Sequence, residues 1–194
     1  MTTEVLEQAT EERLIRRRAS AEEFRSLPES VLPTEYIDGE IVMAPSPNLA
    51  HQSTSRNIFR ALDRAVGAEA AAQLFYAPLD VTLPSGDVVQ PDIFVLSKED
   101  VGRAKREGRV RCAPLLAVEI LSPGSVTHDT LTKRALYEKN GVREYWIVNA
   151  ERRSIAQLVL RKKHYVPAEL GESDVIKSVV MAGFEMRVGE VLGG

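Results

Sequence analysis

One cysteine, Cys112, and one tryptophan, Trp146, are present among 194 residues. A single thiol excludes an intrachain disulfide and a zinc centre built on cysteine pairs, and it suits a reducing, cytoplasmic compartment. Aromatic residues make up 6% of the chain, too few to line a glycan cleft, and no aromatic RNA-binding signature is visible. Neither sign of charge dominates: 25 Lys and Arg stand against 28 Asp and Glu, for a net charge of −3. A protein that coats nucleic acid nonspecifically is usually basic. Every apolar run is interrupted by charged or polar residues, so no membrane span is expected. The first eighteen residues carry several acids and lack the apolar centre of a signal peptide. They are expected to be flexible, leaving residues 19–194 as one domain.

The 44% hydrophobic and 27% charged fractions are those of a globular domain large enough to bury a core. Ser20 with Glu23 forms a capping-box pattern that opens a short helix to about Leu27. Asp38-Gly39 lies between two short strand-like runs and predicts a hairpin. Asn48 then caps a helix that runs to about Val66 and is ended by Gly67. Two strands follow, "AQLFYAPLDVTL" and "VVQPDIFVL", joined by the turn "PSGD". "SKEDVGRAKREG" predicts a surface helix and "PLLAVEILSPG" a buried strand. A helix over "SVTHDTLTKRALYEKNG" precedes the strand "REYWIVN", so residues 114–149 form a parallel crossover unit. "SIAQLVLRK" and "HYVP" extend the sheet as a meander, and strands near Val175–Val180 and Phe184–Val188 close the chain. The fold class is α/β, a mixed sheet flanked by helices with an N-terminal hairpin.

Two carboxylates interrupt apolar strands. Asp92 sits in "VVQPDIFVL" and Glu119 in "LLAVEILS". Ionised acids are seldom buried unless they are paired or bind a metal. Pro91 cannot donate to a ladder, so the chain beside Asp92 lies at an edge, a bulge or a strand end. If the two strands are neighbours, the acids converge, and a hard cation such as Mg²⁺ would relieve their repulsion. On spacing alone, an ion pair with a nearby Arg or Lys explains each acid more simply. Asp129, Lys133 and Tyr137 follow at four-residue steps and share one helical stripe. Glu40, just past the hairpin turn, and His51, in the first turn of a helix, are weaker candidates. A helix start disfavours an imidazolium, which predicts a neutral His51.

Taken together, "EYIDGEIVMAPSPNLAH", "VVQPDIFVL" and "PLLAVEILSPGSVTHDTLTKRALYEKNGVREYWIVN" resemble the Uma-two family of the PD-(D/E)XK nuclease superfamily. The resemblance runs from Glu35 to about Asn149 and more faintly beyond. It implies a restriction-endonuclease-like fold and a Mg²⁺- or Mn²⁺-dependent endonuclease acting on nucleic acid, DNA by expectation, as a homodimer. Asp92 matches the acid of the PD element and Glu119 the acid of (D/E)XK, which makes both metal ligands by resemblance. Leu121 stands where the superfamily has its lysine, and the family moves that basic role to the next helix, where Lys133 is the candidate. Asp129 belongs to the same pattern. Glu40 and His51 match the family's N-terminal acid and histidine and are expected to assist catalysis, with Tyr137 supporting. The displaced lysine favours one alternative, a module that kept the fold for DNA binding or protein interaction and lost catalysis. Two basic segments, 97–111 and 152–165, could follow a phosphate backbone, although a solvated helix and a hairpin edge account for them equally well.

Overall fold

The computed structural model describes residues 14–28, 32–66 and 72–192. At the N-terminal end, strand β1 (Ile15–Arg18) precedes a single-turn helix α1 (Ala21–Arg25), then β2 (Thr34–Ile37) and β3 (Glu40–Met43). The Ser20 side chain accepts the Glu23 N–H, as expected of the cap, while the Glu23 carboxylate pairs with Arg17 instead of closing the box. Asp38 and Gly39 both have positive φ, 50° and 79°, the backbone of a type I′ turn that suits the twist of a hairpin. Ile15–Arg18 departs from the expected flexible segment. It pairs antiparallel with β3, from Ile15↔Met43 to Arg18↔Glu40. All four residues are exposed, so an edge strand here carries no apolar alternation by which it could be recognised.

Helix α2 (Leu49–Ala65) starts at Asn48, whose side chain accepts the His51 N–H. The stop expected at Gly67 lies outside the described residues. Strands β4 (Ala72–Tyr76), β5 (Val81–Thr82), β6 (Val88–Val89) and β7 (Ile93–Ser97) come next, then helix α3 (Lys98–Glu107), β8 (Val110–Arg111) and β9 (Leu116–Ile120). A π-helical turn, His128–Lys133, runs into α4 (Arg134–Asn140), which ends at Gly141 with φ of 81°. The remainder is β10 (Glu144–Asn149), β11 (Ser154–Arg161), β12 (His164–Leu170), β13 (Val175–Lys177), β14 (Glu185–Arg187) and a terminal helix α5 (Val188–Leu192).

These strands form two six-stranded sheets and a two-stranded ribbon, rather than the one mixed sheet expected. One sheet has the order β1-β3-β2-β6-β5-β8, the other β12-β11-β10-β9-β7-β4. The difference arises at two prolines. Each long strand anticipated between residues 72 and 97 is two strands, with the breaks at Pro78 and Pro91, which have no N–H to offer a ladder. The chain leaves the second sheet after β4, pairs in the first as β5 and β6, and returns as β7. Asp92 occupies the return step.

β9 is central to the second sheet, antiparallel to β7 and parallel to β10. The parallel β9–helix–β10 crossover is as expected. Pleating sends Leu116, Val118 and Ile120 into one core with Ile58 and Leu62 of α2. Ala117 points into a second core with Leu136, Tyr137 and Tyr145 under α4. Glu119 shares the Ala117 side. The register pairs Ile93 with Val118, so one step further along Asp92 comes opposite Glu119.

Candidate active site

A cleft of about 530 Å³ opens between the two sheets. Among its lining residues are Glu35 from β2, His51 from the first turn of α2, Asp92, Glu119 from β9, and His128, Asp129 and Lys133 from the π-helical turn. Asp92, Glu119, Lys133, Asp129 and His51, scattered over 83 positions in sequence, are thus brought together. Tyr137 reaches them from α4.

Lys133 is the hub. Its buried ammonium lies 2.9 Å from Glu119 Oε1, 2.9 Å from Glu35 Oε1 and 3.9 Å from Asp129 Oδ1. Glu119 Oε1 also accepts the Tyr137 hydroxyl at 2.7 Å. Asp92 is held in the same fashion: its Oδ2 accepts the Ile120 N–H at 2.8 Å and lies 3.1 Å from His51 Nε2. Both carboxylates therefore commit one oxygen twice. Asp92 Oδ1 and Glu119 Oε2 make no hydrogen bond among the described residues.

The electrostatics follow from burial. Desolvation pushes the Glu119 carboxyl well above the usual carboxylate range, against the pull of Lys133, and the negative neighbours Asp92, Asp129 and Glu35 add to the rise. Desolvation likewise lifts Asp129 to about 6, although Lys133 and the Ser125 hydroxyl oppose it. Burial alone would raise Glu35 too. The Lys133 charge, the His128 hydrogen bond and the Gln90 N–H outweigh burial there and hold Glu35 at about 2. Lys133 itself is kept charged, since its three acids overcome the cost of its desolvation. At His51 burial favours the neutral ring, as does its place at a helix start, while the Asp92 carboxylate raises its pKa on balance.

Glu35 and His128 were not singled out by the sequence reading. Glu35 shares the inward side of β2 with Ile37, the same sign of an acid on an apolar face that drew attention to Glu119. His128 Nε2 lies 2.9 Å from Glu35 Oε2, and its Nδ1 lies 3.1 Å from Arg16 Nη2. A guanidinium can only donate, so Nδ1 accepts and the ring proton sits on Nε2, directed at Glu35. Glu40 does not line the cleft. It pairs in register with Ile37, two residues beyond Glu35 toward the turn, and its carboxylate lies 4.0 Å from Arg16.

A family model described as "putative restriction endonuclease", Uma2, matches residues 21–189. The chain belongs to the Uma2 family. Every cleft residue named above falls within the matched span. This Uma2 chain is also similar to a solved structure from Anabaena variabilis, titled a putative nuclease belonging to DUF820, with a TM-score of 0.79 and 18% identity. The likeness covers 90% of this chain and 97% of the other, and at that identity it establishes a shared fold. No curated protein matches.

Proposed function

We propose that this chain is a metal-dependent endonuclease of restriction-endonuclease-like fold that hydrolyses phosphodiester bonds in DNA. One observation carries the reading. Two carboxylates and a lysine, from three separate elements, meet in one cleft, and each carboxylate leaves one oxygen uncommitted. Among the described residues no group of three or more His, Cys, Asp or Glu is arranged to hold a metal. Two carboxylate oxygens nevertheless fit Mg²⁺, which usually keeps several waters and is held by one or two carboxylates together with substrate phosphates. Asp92 Oδ1 and Glu119 Oε2 would hold it, and the ion, when bound, would polarise the scissile phosphate and supply an activated water.

The protein's own groups have separable tasks. Lys133 presents positive charge to the phosphate, and Glu35 and Glu119 fix its ammonium. Tyr137 and the Ile120 N–H orient the two ligand carboxylates. His51 holds Asp92 from the other side through Nε2, 3.1 Å from Oδ2. Asp129 tethers the π-helical turn through Ser125. Glu40 takes part only through Arg16. A homodimer, with one cleft for each strand of a duplex, completes the proposal.

The test is cleavage of plasmid DNA with Mg²⁺ or Mn²⁺. Asp92→Asn and Glu119→Gln are expected to abolish nicking while far-ultraviolet circular dichroism stays that of the wild type. Equal nicking by wild type and both variants would sink the site. Binding of DNA without cleavage by the wild type, under any divalent ion, would favour the non-catalytic module, a reading supported by how completely Lys133 is engaged by Glu35 and Glu119.

A further inference from the structure

We propose that the outer face of α2 is a track along which a nucleic-acid strand enters the cleft, with Tyr76 stacking an unpaired base at the entrance; this rests on the nuclease reading above. Gln52, Arg56, Arg60 and Arg64 follow one another at four-residue steps, so they form one row with about 6 Å between members along the axis. Thr54, Ile58 and Leu62 anchor the opposite side in the core. Gln52 lines the cleft, so the row begins at its mouth. The three arginines are exposed. None makes an ion pair among the described residues, and Arg56 touches only the Asn57 side chain. One acid, Asp63, lies in the helix, and none lies in its first turn. The helix thus sets no acid of its own at its positive end, which faces the cleft and the Asp92 carboxylate.

The second observation is aromatic. Tyr76 is 62% exposed, unusual for a large ring beside a polar cleft. It closes β4 at the cleft end of the sheet, since it pairs with Ile93, and Ala77 and Pro78 after it line the cleft. Phe59 of α2 holds the ring edge-on, with centroids 5.2 Å apart and an 85° interplanar angle. An exposed ring held against a helix that carries a row of guanidinium groups is the kind of pairing by which proteins hold single strands: charge follows the backbone and the ring stacks a base.

The basic segments most visible in sequence are less well placed. α3 begins where β7 ends, beside the start of β9 and away from Glu119. The turn carrying Arg161, Lys162 and Lys163 lies at that same far end, next to the start of β10. These residues provide a control with the same number of charges.

The experiment measures binding of the full chain to a labelled oligothymidine and to a labelled duplex by fluorescence anisotropy, in EDTA to prevent cleavage, across a range of salt. Arg56→Gln/Arg60→Gln/Arg64→Gln is expected to lower the slope of log affinity against log salt by about two, from about 0.7 per single-strand phosphate contact. Arg161→Gln/Lys162→Gln/Lys163→Gln should leave the slope unchanged. Tyr76→Leu, which keeps an apolar contact for Phe59, should weaken oligothymidine binding by about tenfold and duplex binding far less, with Tyr76→Phe restoring it. Equal slopes for the two triple variants would remove the track and leave the nuclease reading standing. Tyr76→Leu binding like wild type would remove the stacking role. Failure of the wild type to bind either probe would overturn the nuclease reading and the track together.

Discussion

A buried lysine shared by three acids leaves more carboxylate than cation in the cleft, and the acids respond unequally. Glu35 stays ionised, whereas Asp129 is raised from 3.8 to about 6 by burial. A folded-state pKa above the unfolded one means that Asp129 contributes stability in full below about 3.8, and that this contribution is lost as pH rises through about 6. Asp129→Asn removes the titrating group. The expected outcome is a flatter dependence of urea midpoint on pH between about 4 and about 6, relieving a decline of the order of 2 kcal/mol in the wild type. An unchanged slope over that window would show that Asp129 ionises freely in the native protein. An acid within an apolar run and a four-residue step are local signals that single out Asp92, Glu119, Asp129 and Lys133, but on spacing alone they favour ion pairs, and it is the family resemblance that joins them in one site. Glu35 passed unnoticed since its strand has only four residues, too short for one inward acid to stand out.

Among the elements, those with a one-dimensional signature were legible: the hairpin at Asp38-Gly39, the capped helix α2, and the β9–helix–β10 crossover. Three features were not. β1 has no apolar side, the breaks at Pro78 and Pro91 split two apparent strands between two sheets, and α5 emerges directly from the final strand. The last region depends on a remote anchor. Fully buried Glu144, at the start of β10, accepts Trp146 Nε1 and Gln157 Nε2 on one oxygen, both at 2.7 Å. Its other oxygen accepts the Ser178 hydroxyl at 2.7 Å and the N–H groups of Val179 and Val180 at 2.8 and 3.3 Å. One side chain thus ties the loop between β13 and β14 to the central sheet, a contact no local pattern reports. Glu144→Ala removes the acceptor of five hydrogen bonds, leaves the Trp146 N–H and the Val179 N–H without one, and is expected to cost about 3 kcal/mol or more. Hydrogen exchange should place the loss first at the Val179 and Val180 amides, with β10 itself still protected. Uniform loss of protection along both would mean the anchor belongs to the global core.

For the whole molecule, two sheets that share a cleft are coupled to whatever occupies it. Glu35 belongs to one sheet and Glu119 to the other, and a cation favouring the folded arrangement stabilises both by mass action. Mg²⁺ at about a hundred times its dissociation constant is expected to add about 2.7 kcal/mol to wild-type stability, read as a rise in melting temperature absent from Asp92→Asn/Glu119→Gln. A rise of equal size in that variant would place the ion elsewhere. The π-helical turn carries a further consequence, one of insertions and deletions. Its wide winding turns His128, Asp129 and Lys133 inward together while Leu131 points out, an arrangement one residue longer than an α-helix would need. Loss of a single residue at Thr130 or Leu131 would restore ordinary winding and leave the helix packed, yet it would rotate the lysine out of register with the histidine. Relatives with a one-residue gap at this point would therefore be folded proteins with a dismantled centre, recognisable by counting alone.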